Sequence, residues 1–314
     1  MGETSNVTSG QSAGRWLRRS LIPAATFALV TCLTAAPAFA ASSSAGVSRH
    51  SVASSPATER AIVSLLRKDR MGIPTSTSDI WAGYADAKSS TGGFAEVESS
   101  WNVPEIVGDA CTKPTFPGVE QSAFWIGLDG YGGPTVEQTG TISGCDQGSP
   151  FYYAWLEMYP SPMQPLFAVS PGDHMTAWIG GGGNSNGVYS MVIDDTTSGS
   201  KWSGQQDCPS GYTCPGATAE VIAESPGGCQ LSTDQACRTT NEGSAYPMAN
   251  FGWVKFHNIG VFPQHGTGTS WDSIGSSQFD PVELTMTDRT PRTIVQVTSP
   301  LSSNEFTATW EHAA

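Results

Sequence analysis

One aromatic part of the sequence carries the polar side chains best placed to do chemistry. It contains Phe124–Gly130 (FWIGLDG), Val136–Gly140 (VEQTG) and Tyr152–Pro160 (YYAWLEMYP). Because side chains alternate along a strand, Tyr153, Trp155 and Glu157 should share one face. A carboxylate among aromatic rings is costly in a closed core, so we expect this face to line a cleft. A carboxylate in such a cleft could transfer protons during hydrolysis.

Two more common kinds of active site find little support. Gly183–Gly187 (GNSNG) has the form G-x-S-x-G, but a nucleophilic serine of that kind needs a strand before it and a helix after it. Here the serine lies in a glycine-rich run that predicts a turn between strands. No H-E-x-x-H motif occurs, so we expect strand or surface histidines, and neither a metal nor a cofactor. The histidines are His50, His174, His257, His265 and His312.

The order of the motifs resembles that of the glutamic peptidases, or eqolisins. The motifs are Trp125-x-Gly127-x-Asp129-Gly130, Gln138-Thr139-Gly140 and Trp155-x-Glu157-x-Tyr159-Pro160. Ile80–Tyr84 (IWAGY) resembles the mature N-terminus of the family. Ala219–Glu224 (AEVIAE) resembles the segment with its catalytic glutamate, and Phe251–Phe256 (FGWVKF) resembles the strand that follows. Each motif alone is weak evidence, but their order over residues 80–260 is specific.

The resemblance implies roles for five side chains. Gln138 matches the catalytic glutamine and Glu224 the catalytic glutamate. Positions that line or support the substrate cleft are matched by Trp125, Asp129 and Glu157.

Two departures from the family pattern leave a rival for the catalytic glutamate. Val221 stands where the family commonly has an aromatic residue, and Ser225 where it has an acid. Glu220 therefore competes with Glu224, because both fall on the same strand face. We prefer Glu224.

Peptide hydrolysis without a metal or a covalent nucleophile needs an activated water and a stabilised oxyanion. Ionised Glu224 would take a proton from the water, and the Gln138 amide would donate a hydrogen bond to the oxyanion. With a pKa near the reference value of about 4.3, such a base would work in acid. The resemblance thus implies an acid endopeptidase that acts on polypeptides.

Two other functions fit an aromatic-lined β-sheet. A glycoside hydrolase uses two carboxylates across a groove, and either Glu137 with Glu157 or Glu157 with Glu224 could supply them. A non-catalytic carbohydrate-binding module would stack exposed tryptophans on sugars. Neither alternative accounts for the resemblance at Gln138 and Glu224.

Short runs rich in aromatic and β-branched residues must position these side chains. They are Ala123–Leu128, Phe151–Met158, Val188–Ile193, Gly252–His257 and Thr293–Val297. Gly, Pro, Ser and Asp separate them, and no apolar pattern of helical period exceeds two turns. The sequence predicts an all-β fold, an antiparallel β-sandwich of the concanavalin A-like kind with two packed sheets and a concave cleft.

The chain divides into three segments. Residues 1–40 have the charged start, apolar run and Ala38-Phe39-Ala40 site of a secretory signal peptide. Residues 41–78 form a propeptide or linker, with a short basic helix predicted at Ala57–Arg70. Its Arg and Lys side chains could pair with cleft carboxylates at neutral pH. Residues 79–314 form one body, the β-sandwich peptidase domain.

Cysteine content and charge agree with export. Six cysteines remain after the signal, and an even number predicts disulfides in an exported chain. Sequence neighbours suggest Cys111–Cys145, Cys208–Cys214 and Cys229–Cys237. Residues 79–314 contain 7 Lys and Arg against 25 Asp and Glu, which argues against nucleic acid and anionic membranes as partners. We expect a secreted, extracellular monomer.

Overall fold

The computed structural model describes most of the predicted body, and the described residues lie mainly in β-strands. They are residues 73–78, 80–87, 92–107, 111, 119–146, 148–183, 186–226, 248–264, 271–276, 279–287, 293–298 and 304–311. The predicted signal peptide, the basic helix at Ala57–Arg70 and the pair Cys229–Cys237 lie outside them. Within the described residues, no helix has the length and apolar character needed to span a membrane.

Fifteen strands occur in the described residues, which confirms the all-β prediction. They are β1 (Thr75–Ser78), β2 (Trp81–Ala87), β3 (Phe94–Asn102), β4 (Val119–Leu128), β5 (Val136–Asp146), β6 (Ser149–Tyr159), β7 (Gln164–Ala168), β8 (His174–Gly180), β9 (Val188–Asp195), β10 (Lys201–Asp207), β11 (Thr218–Glu224), β12 (Trp253–Pro263), β13 (Pro281–Thr287), β14 (Thr293–Thr298) and β15 (Phe306–Trp310). Each of the five runs predicted to be extended contributes to a strand. In β9 every second residue is buried, as expected for a strand with one face on a core.

Antiparallel pairing links the strands in the order β10-β9-β8-β3-β12-β15-β14-β13-β2-β11-β4-β5-β6-β7. Strand β11 is therefore central in its sheet, with β2 on one side and β4 on the other. The exception is β1, which pairs with β13 in parallel. Its residues, Thr75–Ser78, belong to the segment predicted to precede the body, so the sheet begins before residue 79.

Strand β12 joins two sheet layers. Its first part, Trp253–Phe256, pairs with β15, whereas Gly260–Pro263 pairs with β3. Between them the register shifts, and Asn258 has a φ of 52°, a left-handed conformation that asparagine tolerates. The irregularity bends the strand from the larger sheet into the smaller sheet, β10-β9-β8-β3-β12. Strand β3 then packs against β4 and β11, and β8 against β5.

Strand alternation separates two buried apolar clusters. The main core lies between the sheets and includes Trp101, Phe124, Ile126, Tyr189 and Phe256. A second cluster covers the opposite face of the larger sheet and includes Trp125, Ile142, Trp155 and Ile222. We call this second side the aromatic face. Neighbours in β4 thus serve different clusters, because successive side chains point to opposite faces.

Two disulfides connect neighbouring parts of the body. Cys111 pairs with Cys145 and Cys208 pairs with Cys214, with Cα–Cα distances of 5.3 and 5.9 Å. Both predicted pairings are confirmed.

Candidate active site

The aromatic face carries both Gln138 and Glu224. Gln138 on β5 lies opposite Gly127 of β4, and Glu224 on β11 lies opposite Ala123 of β4. One strand therefore separates the two side chains, and their levels differ by four residues along that strand. The structure places them on one surface without direct contact between them.

Trp125 occupies the space between these two levels. Its indole Nε1 donates a hydrogen bond to Glu224 Oε2 at 2.7 Å. The other end of the ring reaches Gly127, where an added Cβ would come within 2.8 Å of Trp125 Cζ3. An added Cβ at Gly140 would lie 2.6 Å from Trp125 Cβ. The two motif glycines therefore leave room for the indole to extend along the sheet from the level of Gln138 towards Glu224.

Glu157 holds the side-chain amide of Gln138. The two residues are opposite one another in the β5–β6 pair, and Gln138 Nε2 donates to Glu157 Oε2 at 2.8 Å. Both are buried, with exposed fractions of 6% and 5%. An amide nitrogen carries two hydrogens, so this bond fixes one and orients the other. Tyr153 and Trp155 lie on the same face as Glu157, as the alternation predicted.

Glu224 lies in an environment that changes its acidity. Burial raises its pKa to about 7, and the hydrogen bond from Trp125 acts in the opposite direction. Trp81 packs edge-on against Trp125, with ring centroids 5.1 Å apart. The prediction of a pKa near about 4.3 is therefore wrong, because desolvation disfavours the charged carboxylate.

The rival residue Glu220 is enclosed. Its exposed fraction is 0%, and its Oε1 accepts a hydrogen bond from the backbone N–H of Tyr131 at 2.9 Å. Burial raises its pKa to about 8. Glu220 thus supports the turn after β4, whereas Glu224 is partly exposed at the end of the same strand. The geometry favours Glu224 as the residue that can meet a substrate.

Asp129 faces away from the aromatic face. Its carboxylate accepts the backbone N–H of Gly216 at 2.8 Å, the N–H of Ala217, and the hydroxyl of Tyr189 at 3.3 Å. Because Tyr189 belongs to the core between the sheets, these bonds lie behind the site. They tie the end of β4 to the segment before β11, which gives Asp129 a supporting position.

Asp129 belongs to a group that we call the buried acidic cluster, formed by Asp86, Asp129, Glu137 and Glu220. Burial is the largest cause that raises the pKa of Asp86, and it raises the pKa of Glu137 to about 10. Asp129 adds to the shifts of Glu137 and Glu220. Desolvation and like-charged neighbours thus favour the protonated forms of Asp86, Glu137 and Glu220. The sequence analysis did not foresee this cluster.

Comparison with known proteins identifies the family. The sequence model of the Peptidase A4 family matches residues 79–310. The chain belongs to the Peptidase A4 family. The resemblance to glutamic peptidases is thereby confirmed, and so is the prediction of a glutamic endopeptidase.

Solved structures agree with this Peptidase A4 member at the level of the fold. Scytalido-glutamic peptidase, solved with a transition state analog inhibitor, is 20% identical and aligns over 74% of this chain and 99% of its own, with a TM-score of 0.58. SCP-B, an eqolisin solved with the tripeptide Ala-Ile-His, is 19% identical over 74% and 99%, with a TM-score of 0.56. These likenesses confirm the β-sandwich. No curated protein matched the sequence.

In this Peptidase A4 member, one carboxylate pair considered for glycoside hydrolysis is not assembled. Glu157 lies opposite Gln138, so the adjacent Glu137 projects from the other face of β5. Two carboxylates on opposite faces of a sheet cannot flank one bond. Glu137 and Glu157 therefore cannot form that pair.

Sequence reasoning missed two residues that border the site. Trp81 on β2 lies opposite Glu224 on β11, and Tyr131 packs on the aromatic face just after β4. Trp81 stands in the IWAGY motif, so the resemblance contained a signal for it. Tyr131 had none beyond its position after Asp129-Gly130, because its placement depends on the bond from its N–H to Glu220.

Proposed function

We propose that this peptidase hydrolyses polypeptides through Glu224 as general base and Gln138 as oxyanion donor. The observation that carries the proposal is the position of Trp125, whose indole is hydrogen-bonded to Glu224 and reaches Gly127, opposite Gln138. Trp125 is itself fully buried, so it sets the spacing of Glu224 and Gln138, and a peptide group would bind between the polar ends of these two side chains. The peptide-like ligands of scytalido-glutamic peptidase and SCP-B support polypeptides as the substrate class.

The proposed reaction uses side chains alone. Ionised Glu224 removes a proton from a water as that water attacks the scissile carbonyl. The free N–H of Gln138, oriented by Glu157 through the other hydrogen, donates to the developing oxyanion. Protonated Glu224 then returns the proton to the departing amine. Glu157 is a positioning residue in this scheme.

The pKa of Glu224 sets the pH dependence. A general base acts when ionised, so the rate rises with pH through a midpoint near the Glu224 pKa of about 7. This places the working range closer to neutral pH than the reference pKa implied.

We also propose that the chain is exported by its signal peptide and works outside the cell. The two disulfides of the described residues support an oxidising compartment. N-terminal sequencing of the protein from the culture medium should give a start at or after Ala41. Retention of the intact N-terminus inside the cell would contradict export.

The test of the mechanism compares two glutamates of the same strand. Cleavage of an unfolded protein substrate is measured over about pH 3–8 for wild type, Glu224→Gln and Glu220→Gln. Glu224→Gln should lose at least about a hundredfold in kcat, the usual range for a general base. The kcat of Glu220→Gln should stay within about threefold of wild type, because Glu220 is already uncharged and transfers no proton in the proposed reaction.

Each outcome of this comparison has a clear meaning. If Glu220→Gln is inactive while Glu224→Gln is active, the base is Glu220. If both variants retain wild-type activity, hydrolysis uses neither residue and the dyad is wrong. Circular dichroism of each variant establishes that a lost activity does not reflect lost folding.

A further inference from the structure

The outer face of the smaller sheet carries a second group of acidic and aromatic side chains. Glu96 and Glu98 project from the same side of β3, since they are two residues apart. Trp178 on β8 lies opposite Glu98, and its Nε1 donates to Glu96 Oε2 at 2.8 Å. The indole lies over Gly180, where an added Cβ would come within 2.3 Å of the ring. Trp178 therefore forms one flat wall beside the two carboxylates.

A second aromatic wall stands on the other side of β3. Gly260 on β12 lies opposite Glu98, and an added Cβ there would meet Trp271 at 2.9 Å and Glu98 Oε1 at 3.0 Å. Phe262 is in edge contact with Trp271, with ring centroids 5.9 Å apart. Trp271 is 39% exposed. We call the space between Trp178 and Trp271, with its two glutamates, the outer groove.

A cavity of about 230 Å³ lies next to the outer groove and is lined by Glu98, Trp178 and Ser100 among others. Burial, followed by the neighbouring charge of Glu96, raises the pKa of Glu98. Among the described residues, the two lysines are engaged elsewhere, Lys201 with Asp194 and Lys255 with Glu305. The groove thus holds two adjacent carboxylates and no described cation.

The chemistry of the outer groove suits a guanidinium or ammonium group. Carboxylates give charge-assisted hydrogen bonds to such cations, and the faces of tryptophan rings attract them as well. Arginine is especially suited, because its planar group binds a carboxylate and stacks on a ring together. A basic peptide segment is therefore the class of partner that fits.

The chain contains such a segment immediately before the described residues begin at Ile73. Arg67, Lys68 and Arg70 lie just before Ile73 in the sequence. Ile73 is buried in the main core, and an added Cβ at Gly275 would lie 3.2 Å from its Cδ1. From Gly275 the chain needs only four residues to reach Trp271 at the edge of the groove.

The lengths of these two pieces of chain are compatible. Four residues span at most about 14 Å, which bounds the distance from Gly275 to Trp271. The three residues from Ile73 back to Arg70 span up to about 10 Å when extended, and the predicted helical turn from Arg70 to Arg67 adds about 4.5 Å. These lengths are compatible with basic side chains at the Trp271 edge of the outer groove.

The carboxylates of the aromatic face are less available to this basic segment. Glu224 and Glu157 already accept hydrogen bonds from Trp125 and Gln138, whereas Glu98 accepts none from the described residues. We propose that Arg67–Arg70 docks in the outer groove, with its basic side chains on Glu96 and Glu98 between Trp178 and Trp271. The proposal goes beyond the peptidase function, and the docking does not depend on it; only the inactive background used in the test rests on the proposed role of Glu224. It assigns the basic segment to the back of the molecule, and not to the carboxylates of the active site.

Limited trypsin digestion of the full chain tests the docking, because trypsin cuts after the same basic residues. All variants carry Glu224→Gln, so that self-cleavage cannot remove the segment. Rates of cutting after Arg67, Lys68 and Arg70 are followed by mass spectrometry. The double change Glu96→Gln, Glu98→Gln should speed these cuts about tenfold, the equivalent of about 1.4 kcal/mol of lost docking. Exposed Glu105→Gln is the matched control and should leave the rates unchanged.

Three results would overturn the proposal. Cutting that is equally fast in the parent chain and in the double variant would show that no docking occurs at Glu96 and Glu98. Acceleration by Glu157→Gln alone would place the segment on the aromatic face. Faster cutting after Lys201 as well, in the double variant, would indicate general unfolding. The single variants Glu96→Gln and Glu98→Gln are then compared with the parent chain. If neither speeds cutting after Arg67–Arg70 selectively, the docking is also rejected.

Discussion

The aromatic face and the buried acidic cluster are built from the same strands and the same residue types, yet their carboxyl groups differ in role. Glu224 and Glu157 each accept a hydrogen bond from a side-chain donor, and Glu224 is partly exposed. Glu220 and Glu137 are fully enclosed, and burial is the largest influence on their pKa values. What covers a carboxyl group, more than its position in the sequence, decides whether it can exchange a proton with a substrate.

The largest expected effect comes from removing the side-chain amide of Gln138 from the aromatic face. Gln138→Ala should lower kcat by about 10²–10³-fold, the usual cost of losing one oxyanion donor, and should change KM little. Steady-state kinetics on a peptide substrate provide the measurement. Gln205→Ala, a change at an exposed position on β10, is the control. A Gln138→Ala enzyme with near-normal kcat would remove the amide from the reaction.

The next prediction tests the buried acidic cluster through stability. Folding raises the pKa of Glu137 to about 10 and that of Glu220 to about 8, so above the ordinary glutamate value the folded state binds more protons than the unfolded state. Their stabilising effect is complete below that ordinary value and is lost as pH rises towards the folded pKa values. In this window each group should lower the free energy of unfolding by about 1.4 kcal/mol per pH unit.

Urea unfolding at pH 5 and pH 7 measures this loss. Wild type should be less stable at pH 7 by a few kcal/mol. Glu137→Gln keeps a neutral side chain of similar shape. The free energy of unfolding of this variant should therefore fall less steeply with pH, by the contribution of one titrating group. Equal stability of the wild type at the two pH values would mean that the cluster does not hold its protons.

The smallest predicted effect is a shift of the pH–rate profile when Trp125 is changed. Its hydrogen bond favours the charged form of Glu224 and thus lowers the pKa. Trp125→Phe removes that donor, so the rising limb of the pH–rate profile should move to higher pH, by up to about one unit. Trp178→Phe, on the smaller sheet, should leave the limb in place. A shift to lower pH after Trp125→Phe would show that Glu224 is not the titrating base.

Local patterns allowed most of the fold to be predicted. Alternation placed Tyr153, Trp155 and Glu157 on one face, and the extended runs located strands such as β4 and β6. Local spacing also gave two disulfide pairings. These features depend on residues near each other in the sequence, which is why the sequence was sufficient for them.

The sequence alone could not predict features that depend on contacts between distant segments. The pKa of Glu224 was predicted from a solvated glutamate, but Trp125 and its surroundings desolvate it. The resemblance left open whether Asp129 lines or supports the cleft, and its position behind the site depends in part on Tyr189, sixty residues later. The pairing of Thr75–Ser78 with β13 joins segments about two hundred residues apart, which local composition could not predict.

The central position of β11 has a consequence for folding. The strand that carries Glu224 must insert between β2 and β4, segments that the ribosome releases long before it. Pairing between such distant segments is slow to form. Glu224 therefore comes beside Trp125 only once β11 has paired with β4, a contact between residues 99 positions apart. We therefore expect the candidate site to form after local pairings such as β4–β5 and β5–β6.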